Sequence, residues 1–277
     1  MRTITVAHSP DSDDAFMFYA LAQEKIATGA LRYTHALRDI QTLNEWAFER
    51  RFDVTAFSFH AYAYLADRYQ LLPCGASFGE DYGPKIIARR ALTREELADI
   101  TVAIPGALTT AALALRLYLP GVKTTVLPFD HILPAVAAGE AEAGVIIHEG
   151  QLTYADHGLT QHVDLGVWWK AETALPLPLG GNGIRRDLPA AVKRQVARDL
   201  RRAIDYALEH RRDALAYALQ FARDLDPGKA DTFVGMYVNA VTQDYGDRGR
   251  RAVRALLARA YEAGVIPQPV EPEFIAW

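Results

Sequence analysis

Apolar positions in the first third of the chain switch between a period of two and a helical period. Thr3 to Ala7 reads as a short strand, Leu31 to Leu37 as a second and Val54 to Phe57 as a third. Between them, Ala15 to Ile26 places Phe16, Tyr19, Ala20 and Gln23 at helical spacings. Thr42 to Arg50 and His60 to Arg68 also predict helix, and Ile86 to Ala88 a strand leaving this part of the chain.

The middle is sharper. Thr93 and Glu96 form a capping box at the start of a helix. Strands at Ile100 to Ile104, Thr124 to Leu127 and Ala143 to Ile147 alternate with helices at Ala111 to Tyr118 and Asp130 to Ala138. That order predicts a parallel sheet with right-handed crossovers. Alternate prolines in Leu175-Pro176-Leu177-Pro178-Leu179-Gly180 deny helix and predict an extended segment. From Pro189 the pattern is helical almost to the end, with breaks near Asp226-Pro227-Gly228 and Tyr245-Gly246. The chain therefore reads as two α/β lobes, residues 1–88 with 184–277 and residues 89–183, joined near 88–92 and 175–183. A cleft between them is where a small-molecule site is expected.

Composition narrows the function classes. The 277 residues carry 30 Lys and Arg against 34 Asp and Glu, a net charge of −4, which argues against a nucleic-acid partner. A single cysteine, Cys74, excludes an intramolecular disulfide framework and a multi-cysteine metal centre. No apolar run reaches the roughly 18 residues of a membrane span, so no membrane partner is expected. Met1 to Val6 enters a strand-like segment without the apolar core of a signal peptide, which leads to the expectation of a cytoplasmic protein. Monomer and homodimer both stay open as its assembly state.

Three segments carry candidate chemistry. The turn Asp11-Ser12-Asp13-Asp14 allows an Asp-x-Asp magnesium site of phosphatase type, helix capping, or a hydrogen bond to a ligand hydroxyl. Pro10 breaks the strand before it and no later acidic pair completes a metal set, which favours capping; capping and cleft-lining are compatible. Gly106-Ala107-Leu108-Thr109-Thr110 leads from strand to helix, where hydroxyls and free amides could cradle a small carboxylate or phosphate. Thr109 as an ordinary N-cap explains the same residues. Ile146-Ile147-His148-Glu149 sets a histidine directly after an apolar strand, suited to proton transfer near neutral pH, although a lone histidine is also a common structural residue. No Ser or Cys stands beside it in a nucleophile motif. Trp168-Trp169 and Phe57-Ser58-Phe59 suit core packing or the walls of a cleft.

Longer stretches resemble a known family. They are Ser9-Pro10 with Asp14, Phe16 and Phe18-Tyr19-Ala20-Leu21, then Asp39 with Thr42-Leu43-Asn44, then Ser58 with Ala61-Tyr62-Ala63. Ile132-Leu133-Pro134, Gly139-Glu140, Glu142 to Glu149, Leu175 to Gly180 and Tyr237-Val238-Asn239-Ala240 extend the set over nearly the whole chain. Together they are similar to the 1,4-dihydroxy-6-naphthoate synthase family of the futalosine route to menaquinone. The resemblance implies a two-lobed periplasmic-binding-protein-like fold of type II. It implies a carbon–carbon lyase that acts on cyclic dehypoxanthine futalosine, an anionic small molecule, without metal or organic cofactor. It implies His148 as general base, with substrate contacts from Ala56, Phe57 and Ser58, from Thr109 and Thr110, and from Asp14 and Asp39 facing the cleft.

The family's usual first loop, Ser-Pro-Cys-Pro-Asn-Asp-Thr, is replaced here by Ser9-Pro10-Asp11-Ser12-Asp13-Asp14-Ala15. Thr55-Ala56-Phe57 stands where a lysine is usual before Ser58, and Gly180-Gly181-Asn182-Gly183 is richer in glycine. Chorismate dehydratase of the same pathway, and a non-catalytic small-anion-binding protein of the same fold, are the alternatives.

Overall fold

The computed structural model describes residues 1–221 and 227–277. Its strands form two sheets. In the first, the order is Leu31–Leu37, Arg2–His8, Val54–Ser58, Leu177–Arg185 and Tyr69–Leu71, with Ser77–Gly79 also pairing with Leu177–Arg185. Its first three strands are parallel, and Leu177–Arg185 returns antiparallel. The second sheet runs Thr160–Asp164, Lys85–Ala88, Ala143–Ile146, Thr101–Ile104 and Lys123–Val126. Its last three strands are the predicted parallel set, joined by the helices Thr110–Tyr118 and Phe129–Ala138.

Two crossing points differ from expectation. Lys85–Ala88 already pairs antiparallel with Ala143–Ile146 in the second sheet, and Leu177–Arg185 is a full strand of the first. Pro176 precedes that strand, and Pro178, its one proline, sits where the pairing with Ser77–Gly79 shifts register before Gly180.

The helix Ser12–Ala22 is buried from Ser12 to Leu21. Past its acidic first turn it is apolar on all sides, and Ala190–Glu209 packs over it, with Val196, Leu200, Ala203 and Ile204 joining Phe16, Met17 and Phe18 in one core. The expected helix over His60 to Arg68 is shorter. Only Phe59–Tyr62 is helical, and tight i→i+3 turns at Ala63, Tyr64, Leu65 and Arg68 bring the chain round into Tyr69–Leu71.

From Pro189 onward the described residues are helical almost to the end, as expected, through Ala190–Glu209, Arg211–Ala218, Pro227–Tyr237, Ala240–Gln243 and Gly246–Glu262. Of the predicted break at Asp226-Pro227-Gly228, Asp226 lies outside the described residues, and Pro227 opens a helix. The break before Gly246 is present, with Gly246 at φ +54°. Among the described residues, no helix is long and apolar enough to cross a membrane.

Candidate active site

A cavity of about 740 Å³, mouth included, opens between the two sheets. One wall comes from the first sheet and its turns: Ser9, Asp11, Asp13 and Asp14, then Ala56, Phe57 and Ser58, then Ser77. The other comes from Thr109, Thr110 and Ala111, and from Ile147, His148 and Gln151. Phe233 and Tyr237 of the helix Pro227–Tyr237 complete the lining. Among the described residues that line it, none is a lysine or arginine.

His148 follows directly on the strand Ala143–Ile146 and Ile147, and its backbone is left-handed at φ +53°, a conformation unfavourable for any residue with a Cβ. The turn is held because Gln151 N–H donates to the His148 carbonyl at 3.1 Å and Leu152 N–H donates to that of Glu149 at 2.9 Å. With its amide turned to satisfy its neighbours, Gln151 accepts from His148 N–H at 3.2 Å and donates to the Gly83 carbonyl at 2.7 Å. The Phe129 ring stands edge-on to the imidazole, centroids 5.1 Å apart. Strain concentrated on one residue in a cleft is characteristic of a functional position.

Across the cavity, Asp11 Oδ2 lies 3.1 Å from His148 Nδ1, and Asp11 is 2% exposed. The Ser9 hydroxyl also donates to Asp11 Oδ2. Capping accounts for only part of this turn. Asp11 occupies the N-cap position of Ser12–Ala22, yet its side chain makes no capping hydrogen bond and is turned towards Ser9 and His148. Asp14 Oδ2 instead accepts from Ser9 N–H at 2.8 Å, and Asp13 Oδ2 accepts from the Ser77 hydroxyl at 3.2 Å. Each carboxylate thus has a partner within the protein, and among the described residues no group of three or more His, Cys, Asp or Glu has a metal-holding arrangement.

Packing these acids together raises their proton affinity. Burial, then the charge of Asp11, pushes the Asp13 carboxyl up, and burial followed by Asp13 pushes Asp14 well above the usual carboxylate range. Glu149 is buried and accepts from the Ser12 hydroxyl at 3.1 Å. Burial and then Asp11 raise it to about 7.

The second expected contact region is built by the helix Thr110–Tyr118. Thr109 is its N-cap: its hydroxyl accepts from Ala112 N–H at 3.2 Å and donates to the Gly106 carbonyl at 2.8 Å. The Thr110 hydroxyl donates to the Leu179 carbonyl at 2.6 Å and accepts from His60 N–H at 3.3 Å. Both hydroxyls are engaged with protein. What remains for a ligand anion is the first-turn amides of Thr110 and Ala111, which have no intrahelical acceptor.

These geometric features have counterparts in known proteins. The family model described as menaquinone biosynthesis matches residues 4–262. The chain belongs to that family. It is 41% identical over 275 residues to a protein of Thermus thermophilus named 1,4-dihydroxy-6-naphthoate synthase, covering 99% of this chain and 100% of that one. A Streptomyces coelicolor protein of the same name is 37% identical over 274 residues, covering 96% and 95% of the two chains. A crystal structure of an Archaeoglobus fulgidus protein superposes with TM-score 0.92 at 44% identity, over 95% of this chain and 98% of that one. The alkanesulfonate-binding protein of Xanthomonas axonopodis superposes with TM-score 0.71 at 14% identity, over 97% and 96%. That likeness shows the two-lobed periplasmic-binding-protein fold in this member of the menaquinone-biosynthesis family.

Of the residues expected at the site, His148, Ala56, Phe57, Ser58, Thr109, Thr110 and Asp14 all line the cavity. Asp39 does not. It caps the helix Ile40–Phe48, accepting from Thr42 N–H at 3.0 Å and from the Thr42 hydroxyl at 2.6 Å, and Ile40 reaches the lining in its place. The Asp39-x-x-Thr42 spacing carried that signal, since an acid three residues before a hydroxyl at a helix start is a cap pattern. Trp169 is core, donating its indole N–H to the Pro176 carbonyl at 3.1 Å. Sequence reasoning did not single out Ser77, Gln151 or Phe233, and it gave no role to Tyr237.

Proposed function

We propose that this chain converts cyclic dehypoxanthine futalosine to 1,4-dihydroxy-6-naphthoate, with His148 as general base and no added cofactor. The observation that carries the reading is the nearly end-to-end similarity to two relatives bearing that activity's name. The geometry supplies the chemistry. A base that takes a hydroxyl proton beside a carbon–carbon bond turns the C–O bond into a carbonyl, and the broken bond's electron pair leaves with the other fragment, where a proton quenches it. His148 is held at the cavity by a strand end and a tight turn, as such a base requires.

In this reading the amides of Thr110 and Ala111 take the substrate's carboxylate, while Ala56, Phe57 and Ser58 bound its ring system. Asp14, whose proton affinity burial and then Asp13 raise, offers an acceptor to a substrate hydroxyl, and a donor when it is protonated. One chain supplies every residue of the lining, so a single copy suffices, alone or in a homodimer.

The test is a mass-spectrometric assay of the purified protein with cyclic dehypoxanthine futalosine. Dihydroxynaphthoate is expected to appear and to vanish with His148→Ala. Tight binding without product, indifferent to that substitution, would replace the lyase reading with that of a small-anion-binding protein.

A further inference from the structure

We propose that Asp11 is the positioning residue of His148, a carboxylate that fixes the imidazole tautomer and supports its positive charge as it takes a proton. The inference rests on the reading of His148 as the base, and extends it to a residue on the other lobe.

The geometry is direct. Asp11 Oδ2 stands 3.1 Å from His148 Nδ1. A carboxylate accepts and does not donate, so the neutral imidazole must present Nδ1–H to it, which leaves the lone pair on Nε2. Asp11 is itself fixed, because it is 2% exposed and receives the Ser9 hydroxyl. An ion pair in such surroundings is weakly screened and favours the charged form of the histidine. Other groups face His148 as well. Asp13 comes from the same turn as Asp11, Glu149 follows His148 in the chain, and the neutral Phe129 and Gln151 pack from their own helices. Of the two further acids, Asp13 is tied to Ser77 and Glu149 to Ser12, which leaves Asp11 as the carboxylate with a direct contact to Nδ1.

The two partners ride on different sheets. Asp11 follows the strand Arg2–His8 of the first, and His148 follows Ala143–Ile146 of the second. The pair therefore joins the two sheets directly at the cavity, and it stands formed before any substrate enters.

The test is Asp11→Asn, read in two ways. A ¹H–¹³C titration of the His148 ring, assigned by its loss in His148→Gln, needs no substrate; the midpoint is expected to fall by about one pH unit. In turnover, kcat is expected to fall on the order of a hundredfold with KM changed less than about threefold, and the acid limb of kcat/KM to move to lower pH. Asp11→Glu should restore part of both. An unchanged midpoint and unchanged kcat in folded Asp11→Asn would overturn the proposal, and Asp11→Glu supplies the same readouts if the asparagine variant does not fold. A lowered midpoint in a protein that makes no naphthoate would uphold the pairing and reject the proposed reaction.

Discussion

Ser58 N–H donates to Asn44 Oδ1 at 2.8 Å, and Asn44 Nδ2 donates back to Ser58 Oγ at 3.2 Å. One fully buried amide thus ends the strand Val54–Ser58 and orients the hydroxyl that this strand brings to the cavity. With its oxygen occupied by Asn44, the Ser58 hydroxyl has its proton left to give to a ligand. Ser58→Ala should raise KM by roughly 3- to 10-fold, one hydrogen bond's worth, with kcat nearly unchanged. Asn44→Ala should also destabilise the fold by about 1–3 kcal/mol, because it strands a buried amide; denaturant unfolding measures it.

The glycines at Gly181 and Gly183 have a packing cause. A Cβ on Gly183 would lie 2.3 Å from Phe57 Cζ, and one on Gly181 would lie 2.5 Å from Tyr245 Oη. Phe57 is fully buried against Tyr62 and Tyr69 and has no room to withdraw. Gly183→Ala should therefore cost roughly 1–3 kcal/mol and weaken substrate binding through a displaced Phe57. A melting temperature equal to that of the parent would contradict this account.

His148 trades stability for position. At φ +53° a side chain costs about 1 kcal/mol that glycine does not incur. His148→Gly should be inactive yet more stable than His148→Ala by about that amount, less the freedom glycine adds to the unfolded chain. Paired thermal melts of the two variants make the comparison.

Two kinds of buried group pull the pH dependence of stability in opposite directions. His8, stacked on Phe18, is lowered to about 3 by burial and then by His35, and His60 to about 4 by burial and then by Arg116. Such histidines bind protons first in the unfolded chain, so stability is intact above the ordinary value of 6.5 and is lost as pH falls towards 4. Glu149, raised from 4.5 to about 7, keeps its proton longer in the folded state, so stability falls as pH rises across that interval. Melts between pH 4 and 8 should show Glu149→Gln gaining on the parent most at the alkaline end. His8→Asn should flatten the acid limb, by at most about 1.4 kcal/mol per pH unit.

Much of the site was written locally. The cap at Thr109 and the box at Thr93 and Glu96 depend on residues three apart, and both stand as expected. His148 was visible because an apolar strand led straight to it. Asp11 was ambiguous because capping and cleft-lining share one turn, and its partner is distant in the chain, as Ser12 is from Glu149, 137 residues away. Tyr69–Leu71 and Ser77–Gly79 are three residues each, too short to display a period. Lys85–Ala88 was legible as a strand but not as a member of the second sheet, since an apolar run suits either.

Among the described residues, the cavity's lining holds no lysine or arginine, and that has a kinetic signature. An anion held by peptide dipoles at a helix start, without a lysine or arginine among the described lining residues, exchanges few bound ions when it docks. KM should then stay within about twofold across a roughly tenfold rise in ionic strength, where a lysine-clamped anion would be progressively released. Selectivity in such a recess rests on shape and amide geometry, and polyanions that merely carry more charge gain no foothold there.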